Sequence, residues 1–177
     1  ILFEINSGGG QAYGCFETAS YVKELSKQHN VKIISYVDGM AASGAYAWAA
    51  ISDELICNPM GKVGSIGVVL PLVNTAERDK KEGVKRIYIT SGKNKVPFDE
   101  DGNYTEHTLN EYRKTSNAIY DVFVSHVADM RGLTEQEVID TEANVFIAQE
   151  AKEKGLIDSI MTKEQFYRHI NESYGDN

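Results

Sequence analysis

Ser43 is the residue of this sequence whose type and position most directly suggest chemistry. It stands between a β-branched run, 31–37, and an alanine-rich segment, 44–50. The run predicts a strand that ends at the turn signal Asp38-Gly39, and the alanines predict a helix. A serine at a helix N-terminus lies beside free backbone N–H groups that can stabilise an oxyanion. The same position also suits a helix cap, and this segment alone favours the cap over the nucleophile.

A serine nucleophile needs a general base, and the sequence offers histidines and lysines. The histidines stand in a polar loop, a long helix and the C-terminal region, without glycine-rich surroundings: His29, His107, His126 and His169. Lys93 and Lys95 lie in the polar loop 91–103, and a lysine can act as a base where burial lowers its pKa. The residue types alone choose neither group over ordinary surface side chains.

A glycine-rich turn follows the first predicted strand, where residues 6–10 read Asn-Ser-Gly-Gly-Gly. Glycines lack a Cβ, so their backbone N–H groups can approach a ligand closely. The segment lacks the Lys-Ser/Thr of a phosphate loop and the glycine spacing of a dinucleotide site. A simple tight turn is the alternative interpretation. In a parallel sheet this turn and Ser43 would lie at the same edge.

Strand-like and helix-like segments alternate along the chain, which predicts an α/β fold with a mainly parallel sheet. Predicted strands cover 1–6, 31–37, 54–57, 66–69, 85–90, 145–146 and 156–160. Predicted helices cover 14–28, 74–82, 106–131 and 149–154, and further helices begin at Ser43, Thr134 and Lys163. Thr134 and Glu137 have the spacing of a capping box. Without repeats or low-complexity segments, residues 1–177 predict one domain.

Composition excludes several classes of protein. The hydrophobic fraction of 42% is that of a globular domain, and a net charge of -8 argues against nucleic-acid binding. Two cysteines, Cys15 and Cys57, are too few for a disulfide framework, so we expect buried thiols. No apolar run is long enough to span a bilayer. Because the chain opens within a predicted strand and without Met, we expect a missing N-terminal segment that could include an anchor.

Four separated segments resemble those of one protease family. Residues 6–10 are similar to an Asn-Ser-Pro-Gly-Gly oxyanion segment, and Ala-Ser-Gly-Ala-Tyr at 42–46 resembles an Ala-Ser-Gly-Gly-Tyr nucleophile segment. Gly-Ser-Ile-Gly-Val at 64–68 and Ser-Gly-Lys-Asn-Lys at 91–95 resemble segments that carry an assisting serine and a catalytic lysine. The family is the signal peptide peptidase A type of serine protease. The resemblance implies the Clp protease/crotonase fold, with repeated ββα units, a mainly parallel sheet flanked by helices and a helical C-terminal part.

The resemblance also implies catalytic roles. Ser43 matches the nucleophile, and Lys95 matches the general base of a Ser-Lys dyad. Ser65 matches the serine whose hydroxyl orients that lysine. Lys95 is preferred to Lys93 because it occupies the last position of the Ser-Gly-x-x-Lys segment. The family chemistry implies no metal and no cofactor.

For the oxyanion hole, the resemblance pairs the backbone N–H of Gly44 with one from Gly9 or Gly10. Two departures from the family pattern fall in these segments, because Gly8 replaces a proline and Ala45 replaces the second glycine after the nucleophile. Neither departure changes the Ser-Lys dyad.

The implied activity is that of an ATP-independent serine endopeptidase, which acts on polypeptides through an acyl-enzyme and assembles into a homo-oligomeric ring. Segments 64–68, 91–95, 140–143 and 149–151 most resemble lambda-type capsid-maturation proteases. That setting implies cleavage of scaffold and head proteins inside a cytoplasmic procapsid. The alternative is a membrane-anchored, extracytoplasmic signal peptide peptidase that degrades cleaved leader peptides. Its membrane association would depend on an anchor before residue 1.

Three other functional interpretations compete with this one. A Clp-type triad needs a histidine at moderate distance after the nucleophile, and residues 43–95 contain none. A crotonase-like acyl-CoA enzyme would share the fold without needing Ser43 or Lys95. A catalytically inactive scaffold relative would need neither, so the presence of Ser43, Ser65 and Lys95 counts against it.

Overall fold

The computed structural model describes residues 1–92, 94–99 and 101–175, so Lys93 lies outside the described residues. The chain forms two compact units. The first unit combines Ile1–Val68 with Ile119–Asn177, and the second is Val69–Ala118. The single-domain interpretation of 1–177 stays a prediction.

The first unit is built on a sheet in which the described residues form six strands. The strands are β1 Leu2–Ser7, β2 Ile34–Ala42, β3 Glu54–Cys57, β4 Lys62–Gly64, β5 Val145–Ile147 and β6 Ser159–Ile160. Their order is β5-β4-β2-β3-β6, and β1 pairs with β2. Every pair is parallel except β4 with β5. The predicted mainly parallel sheet is confirmed.

Strand β2 is the centre of this sheet. Its residues 34–37 pair with both β1 and β3, and its residues 40–42 pair with β4. Since a strand has two edges, β1 occupies one edge and β3 and β4 share the other. Residues such as Tyr36 and Val37 are fully buried, as expected of a strand covered on both faces.

Seven helices accompany the strands in the described part of the chain. They are α1 Cys15–Gln28, α2 Gly44–Ala50, α3 Ala76–Lys81, α4 Glu106–Arg131, α5 Glu135–Ile139, α6 Ala148–Glu153 and α7 Lys163–Tyr174. The predicted capping box of Thr134 and Glu137 is confirmed at the start of α5, and Thr162 with Gln165 forms another before α7. A mainly parallel sheet flanked by helices is the architecture expected of the Clp protease/crotonase fold.

Helix α2 packs into the core of the first unit through small side chains. Ala47, Ala49 and Ala50 are fully buried, and the buried hydroxyl of Tyr46 donates a hydrogen bond to the carbonyl of Leu156 at 2.8 Å. Alanine lets the helix approach its neighbours closely, because it adds only a methyl group. The alanines therefore let α2 pack closely in the core of the first unit.

The second unit contains α3, residues of α4 and the polar loop 91–103. Asp79 at 2.6 Å from Arg86 closes the turn after α3, and this guanidinium holds the pKa of the carboxyl below its usual range. The rings of Tyr88, Phe98 and Tyr104 meet edge to face. Within its described residues, 85–90 form no strand, which corrects the prediction of one there.

Three other strand predictions differ from the structure in position or length. β2 does not end at Asp38-Gly39 but continues to Ala42, because a bulge absorbs these residues. The strand expected at 66–69 lies instead at Lys62–Gly64, since Ser65 has a backbone φ of 54° that ends the extended conformation. The strand expected at 156–160 is shorter, Ser159–Ile160.

Candidate active site

Two serines follow the carboxyl ends of neighbouring parallel strands. Ala42 at the end of β2 pairs with Gly64 at the end of β4, so Ser43 and Ser65 are the next residues on adjacent strands. The Ser43 N–H donates to the Gly64 carbonyl at 2.9 Å. The structure thus brings the predicted nucleophile next to the segment of the predicted assisting serine. Ligand sites of parallel sheets commonly lie at this edge.

Ser43 occupies the N-cap position of α2 but does not cap it with its side chain. Its carbonyl accepts from the N–H groups of Tyr46 at 2.8 Å and Ala47 at 3.2 Å, while its side chain makes no capping hydrogen bond. Its φ of 54° and ψ of -128° lie where serine is strained. Within the described residues the hydroxyl has no hydrogen-bond partner, so it is available to another group.

The glycine turn after β1 lies directly beside Ser43. Gly9 has a φ of 102°, and a methyl group on it would lie 2.7 Å from both the Ala42 carbonyl oxygen and the Ser43 Cβ. A methyl group on Gly44 would lie 3.6 Å from the Gly10 nitrogen. At Gly9 only glycine permits so close an approach of the two backbones, whereas a methyl group on Gly44 would make an ordinary contact. The predicted oxyanion segments therefore adjoin each other.

Their N–H groups differ in availability. The Gly9 N–H donates to the Ser7 hydroxyl at 3.2 Å. The N–H groups of Gly10 and Gly44 have no partner within the described part of the chain. Gly44 also opens α2, where the helix dipole adds positive potential. Gly10 and Gly44 are therefore the freer donors for a developing negative charge.

Ser65 is held by a turn that the sequence patterns missed. Its N–H donates to the Asn144 carbonyl at 2.8 Å, and a methyl group on Gly67 would lie 2.7 Å from the Ala143 Cβ. Glu142 and Ala143 have φ values of 49° and 54°, so the turn 141–144 is itself strained. The sequence feature that could have indicated this turn is segment 140–143, which resembles the family but carries no turn pattern.

Lys95 belongs to the second unit, so the structure of the first unit does not include it. Its side chain is exposed, and its N–H donates to the Gly92 carbonyl at 3.2 Å. The five other predicted site residues share the first unit: Ser43, Ser65, Gly9, Gly10 and Gly44. The assignment of Lys95 as the base depends on the sequence pattern.

Histidine and cysteine side chains near α2 have other roles. His126 lies 2.9 Å from the Ala47 carbonyl and 3.2 Å from the Ser20 hydroxyl, which occupies both ring nitrogens. Burial lowers its pKa and favours the neutral ring. The Cys15 thiol contacts the Gly44 carbonyl at 3.5 Å, and burial raises its pKa, which disfavours a thiolate nucleophile.

A cavity of about 380 Å³ opens beside the glycine turn. Its lining is mostly apolar and includes Phe3, Ile5, Cys15, Ala45 and Trp48, together with Gly9, Gly10 and Gly44. A cavity of this size and lining can seat one apolar side chain next to the free N–H groups.

Among the helices that the structure describes, none is long and apolar enough to cross a bilayer.

Several known proteins that are similar to this chain are named as proteases. The chain is 30% identical over 173 residues to the putative protease MJ0651 of Methanocaldococcus jannaschii, covering 97% of this chain and 55% of the relative. It is 31% identical over 166 residues to the probable protease SohB of Buchnera aphidicola subsp. Schlechtendalia chinensis, covering 94% and 54%. It is 30% identical over 166 residues to capsid assembly protease C of Escherichia phage lambda, covering 91% and 36%.

The chain thus spans about half the length of the first two relatives and about a third of the third. The family model described as Peptidase family S49 matches residues 25–175. That range includes Ser43, Ser65 and Lys95, and the glycine turn precedes it. The chain therefore belongs to peptidase family S49.

Proposed function

We propose that this peptidase is an ATP-independent serine endopeptidase in which Ser43 is the nucleophile. The observation that carries the proposal is the geometry of Ser43, whose strained backbone presents an unpartnered hydroxyl within the described residues beside two free N–H donors. A functional site is where such strain is commonly retained. The metal-free chemistry of the dyad needs only groups of the chain and water.

The proposed mechanism passes through an acyl-enzyme. The Ser43 Oγ attacks the peptide carbonyl carbon while Lys95, in its neutral form, takes the hydroxyl proton. The resulting oxyanion accepts hydrogen bonds from Gly44 and from the glycine turn, each worth about 2.7 to 4 kcal/mol in known hydrolases. Lys95 then passes the proton to the leaving amine. A water, deprotonated by the same lysine, then attacks the acyl carbonyl carbon, and the lysine returns this proton to Ser43 Oγ as the acyl group leaves.

Support for Lys95 comes from the segment 91–95, whose last residue matches the family lysine. For a lysine to be neutral near pH 7, it must be desolvated when substrate is bound. The Ser65 hydroxyl is proposed to orient it, since Ser65 follows the strand next to Ser43 and its hydroxyl has no partner within the described residues. Like Ser43, Ser65 has a backbone φ of 54°.

For native substrates, we propose head and scaffold proteins of a tailed phage or prophage, cleaved inside the procapsid. Support comes from segments 64–68, 91–95 and 140–143 and from the similarity to the lambda protein named capsid assembly protease C. The second candidate is a cellular, membrane-associated peptidase that degrades leader peptides, and the equal similarity to the protein named SohB favours it. Head and scaffold genes beside this gene would support the first, and their absence the second.

The catalytic assignment is tested with Ser43→Ala, Lys95→Ala and, as the matched control, Lys93→Ala. Activity is followed with a fluorogenic peptide, with and without ATP, and with a fluorophosphonate that labels activated serines. Ser43→Ala should lose labelling and at least about 10⁴-fold in peptide cleavage. Lys95→Ala should stay folded and label very slowly, because its serine lacks a base. Lys93→Ala should match the wild-type rate, and ATP should have no effect.

Two outcomes would overturn the assignment. Full activity of Lys95→Ala, together with loss of activity in a histidine variant, would replace the dyad by another base. Absence of both labelling and cleavage in the wild-type chain would make it an inactive relative.

A further inference from the structure

The pairing of β1 with β2 shifts register immediately before the glycine turn. Ile5 pairs with Val37, yet the next pair is Ser7 with Ala41. One residue of β1, Asn6, therefore faces three residues of β2, 38–40. This is a bulge in β2, and bulges near functional sites redirect the residues that follow them.

The Asn6 side chain fills this bulge. Its Oδ1 accepts a hydrogen bond from the Met40 N–H at 3.2 Å. Met40 lies in the part of β2 that the register shift leaves without a partner in β1. A methyl group on Gly39 would lie 2.6 Å from the same Oδ1 and 3.3 Å from Nδ2. Gly39 does not have a positive φ, so what glycine provides there is space for the Asn6 amide rather than backbone freedom. Gly39 and Asn6 form a matched pair.

This contact fixes where the glycine turn begins. Among the described residues, it is the side-chain hydrogen bond that joins segment 6–10 to β2. Ser7 ends β1 one residue later by pairing with Ala41, and Gly9 and Gly10 then adjoin Ser43 and Gly44. The register chosen at Asn6 thus sets the distance between the two backbones that carry the free N–H groups.

The bulge has a second support that does not involve Asn6. The Lys163 ammonium lies 3.1 Å from Asp38 Oδ2 and also pairs with Glu4 of β1. Loss of the Asn6 amide should therefore leave the bulge and the fold in place. What changes is the alignment of the turn over Ser43.

We infer that Asn6 is a positioning residue for the oxyanion hole, acting through the bulge at Gly39 and Met40. The inference rests on the proposed function, since it assigns Asn6 a part in stabilising the transition state at Ser43. Asn6 does not touch the reacting atoms. It acts by holding the Gly10 N–H where the oxyanion develops, and shifts of about 1 Å in such donors cost up to about 100-fold in rate.

The experiment compares Asn6→Ala, Asn6→Asp and Gly39→Ala with Gln165→Ala as the control. Gln165 is suited to this comparison because its amide oxygen also accepts a backbone N–H, that of Thr162 at 2.8 Å, on an exposed surface at the start of α7. Each full-length variant is measured for kcat and KM with a fluorogenic peptide. Its affinity for a peptide boronic acid, whose tetrahedral serine adduct occupies the oxyanion hole, is measured as well.

Asn6→Ala should lower kcat by about 10- to 100-fold and change KM by less than about 2-fold, because the ground state uses the donors less. Affinity for the boronic acid should fall by a similar factor. Asn6→Asp keeps the acceptor oxygen and should recover most of the rate. Gly39→Ala should resemble Asn6→Ala, and combining the two should add little, because both displace one contact. Gln165→Ala should match the wild type.

Wild-type kcat in Asn6→Ala, or equal losses in Asn6→Ala and Asn6→Asp, would overturn the inference. So would a loss of kcat that leaves boronic acid affinity unchanged. Failure of the proposed function is distinguishable, since the wild-type protein would then show no Ser43-dependent fluorophosphonate labelling. If that labelling is present and Asn6→Ala behaves as wild type, only the positioning role is wrong.

Discussion

Ser43 adopts a backbone conformation that costs stability and that its sequence neighbours do not reveal. The residue types around it predicted a serine at a helix start, and that position is correct. The φ of 54° arises because the chain must leave β2, bond to Gly64 and enter α2 within one residue. These are tertiary constraints, so the choice between cap and nucleophile could not be made from the local segment.

The conformation of Ser43 predicts an unusual order of stability among its variants. The free energy of unfolding of Ser43→Gly should exceed that of Ser43→Ala by about 1 kcal/mol, because glycine adopts this φ and ψ without strain. Both variants lack the hydroxyl, so the comparison isolates the backbone. Urea denaturation of the two proteins measures the difference.

The control is the same pair of substitutions at Ser116, within α4. There the order should reverse, and alanine should exceed glycine by about 1 kcal/mol because the position is helical. If Ser43→Ala were more stable than Ser43→Gly, as expected at Ser116, Ser43 would not be strained.

The turn 141–144 shows how one element positions another. It follows α5, and it contacts segment 64–67 at Ser65 through the Asn144 carbonyl and at Gly67 through the Ala143 methyl group. The short distance between Gly67 and Ala143 leaves no room for a side chain on Gly67. Ser65 therefore depends on a turn from a distant part of the chain.

This packing predicts a rescue between two elements. Gly67→Ala should lower the free energy of unfolding by about 1 to 3 kcal/mol, because its methyl group would overlap the Ala143 methyl group. Ala143→Gly removes that group and also suits the positive φ at this position, so the double variant should recover most of the stability. Denaturant titration of both single variants and the double variant measures the coupling. Strictly additive effects would contradict the proposed contact.

Element prediction succeeded where local chemistry decides the structure. The capping box at Thr134 and the amphipathic pattern of α4 lie where the residue types indicate. Strand β2 begins at Ile34, three residues after the predicted start of the β-branched run. Prediction failed at Asp38-Gly39, because Asn6 fills the bulge that lets β2 continue through a turn signal. It also failed at 85–90, where alternating β-branched residues have no neighbouring strand within the described part of the second unit.

At the scale of the whole molecule, the two halves of the proposed dyad lie in different compact units. Ser43 and Ser65 belong to the first, and Lys95 belongs to the second. Sequence motifs that occur in the family's order point to Ser43, Ser65 and Lys95. No local pattern, however, gives the distance between a base and its nucleophile, because tertiary packing determines that distance. The second unit also exposes large apolar side chains, including Val73, Ile87 and Ile89, the last of them 99% exposed.

Exposed apolar groups of this kind commonly mark protein interfaces, and the resemblance implies a homo-oligomeric ring. We therefore expect light scattering to give a multiple of the 19.6 kDa chain mass, and specific activity to fall on dilution. Ile89→Asp should weaken assembly and activity together, because a charge opposes burial of this side chain. Met60→Asp, at an 83% exposed position of the first unit, is the control and should leave both unchanged. A fully active monomer would contradict this expectation.

The sheet also determines when during synthesis this site can form. Ser65 obtains its backbone partner from Asn144, which the ribosome adds much later, and β3, already paired with β2, gains its second neighbour only with Ser159–Ile160. A nascent chain that ends before residue 144 lacks the support of its second serine. Such long-range pairing forms late and slowly. The backbone support of Ser65 is therefore complete only after the ribosome has added the intervening helices α4 and α5.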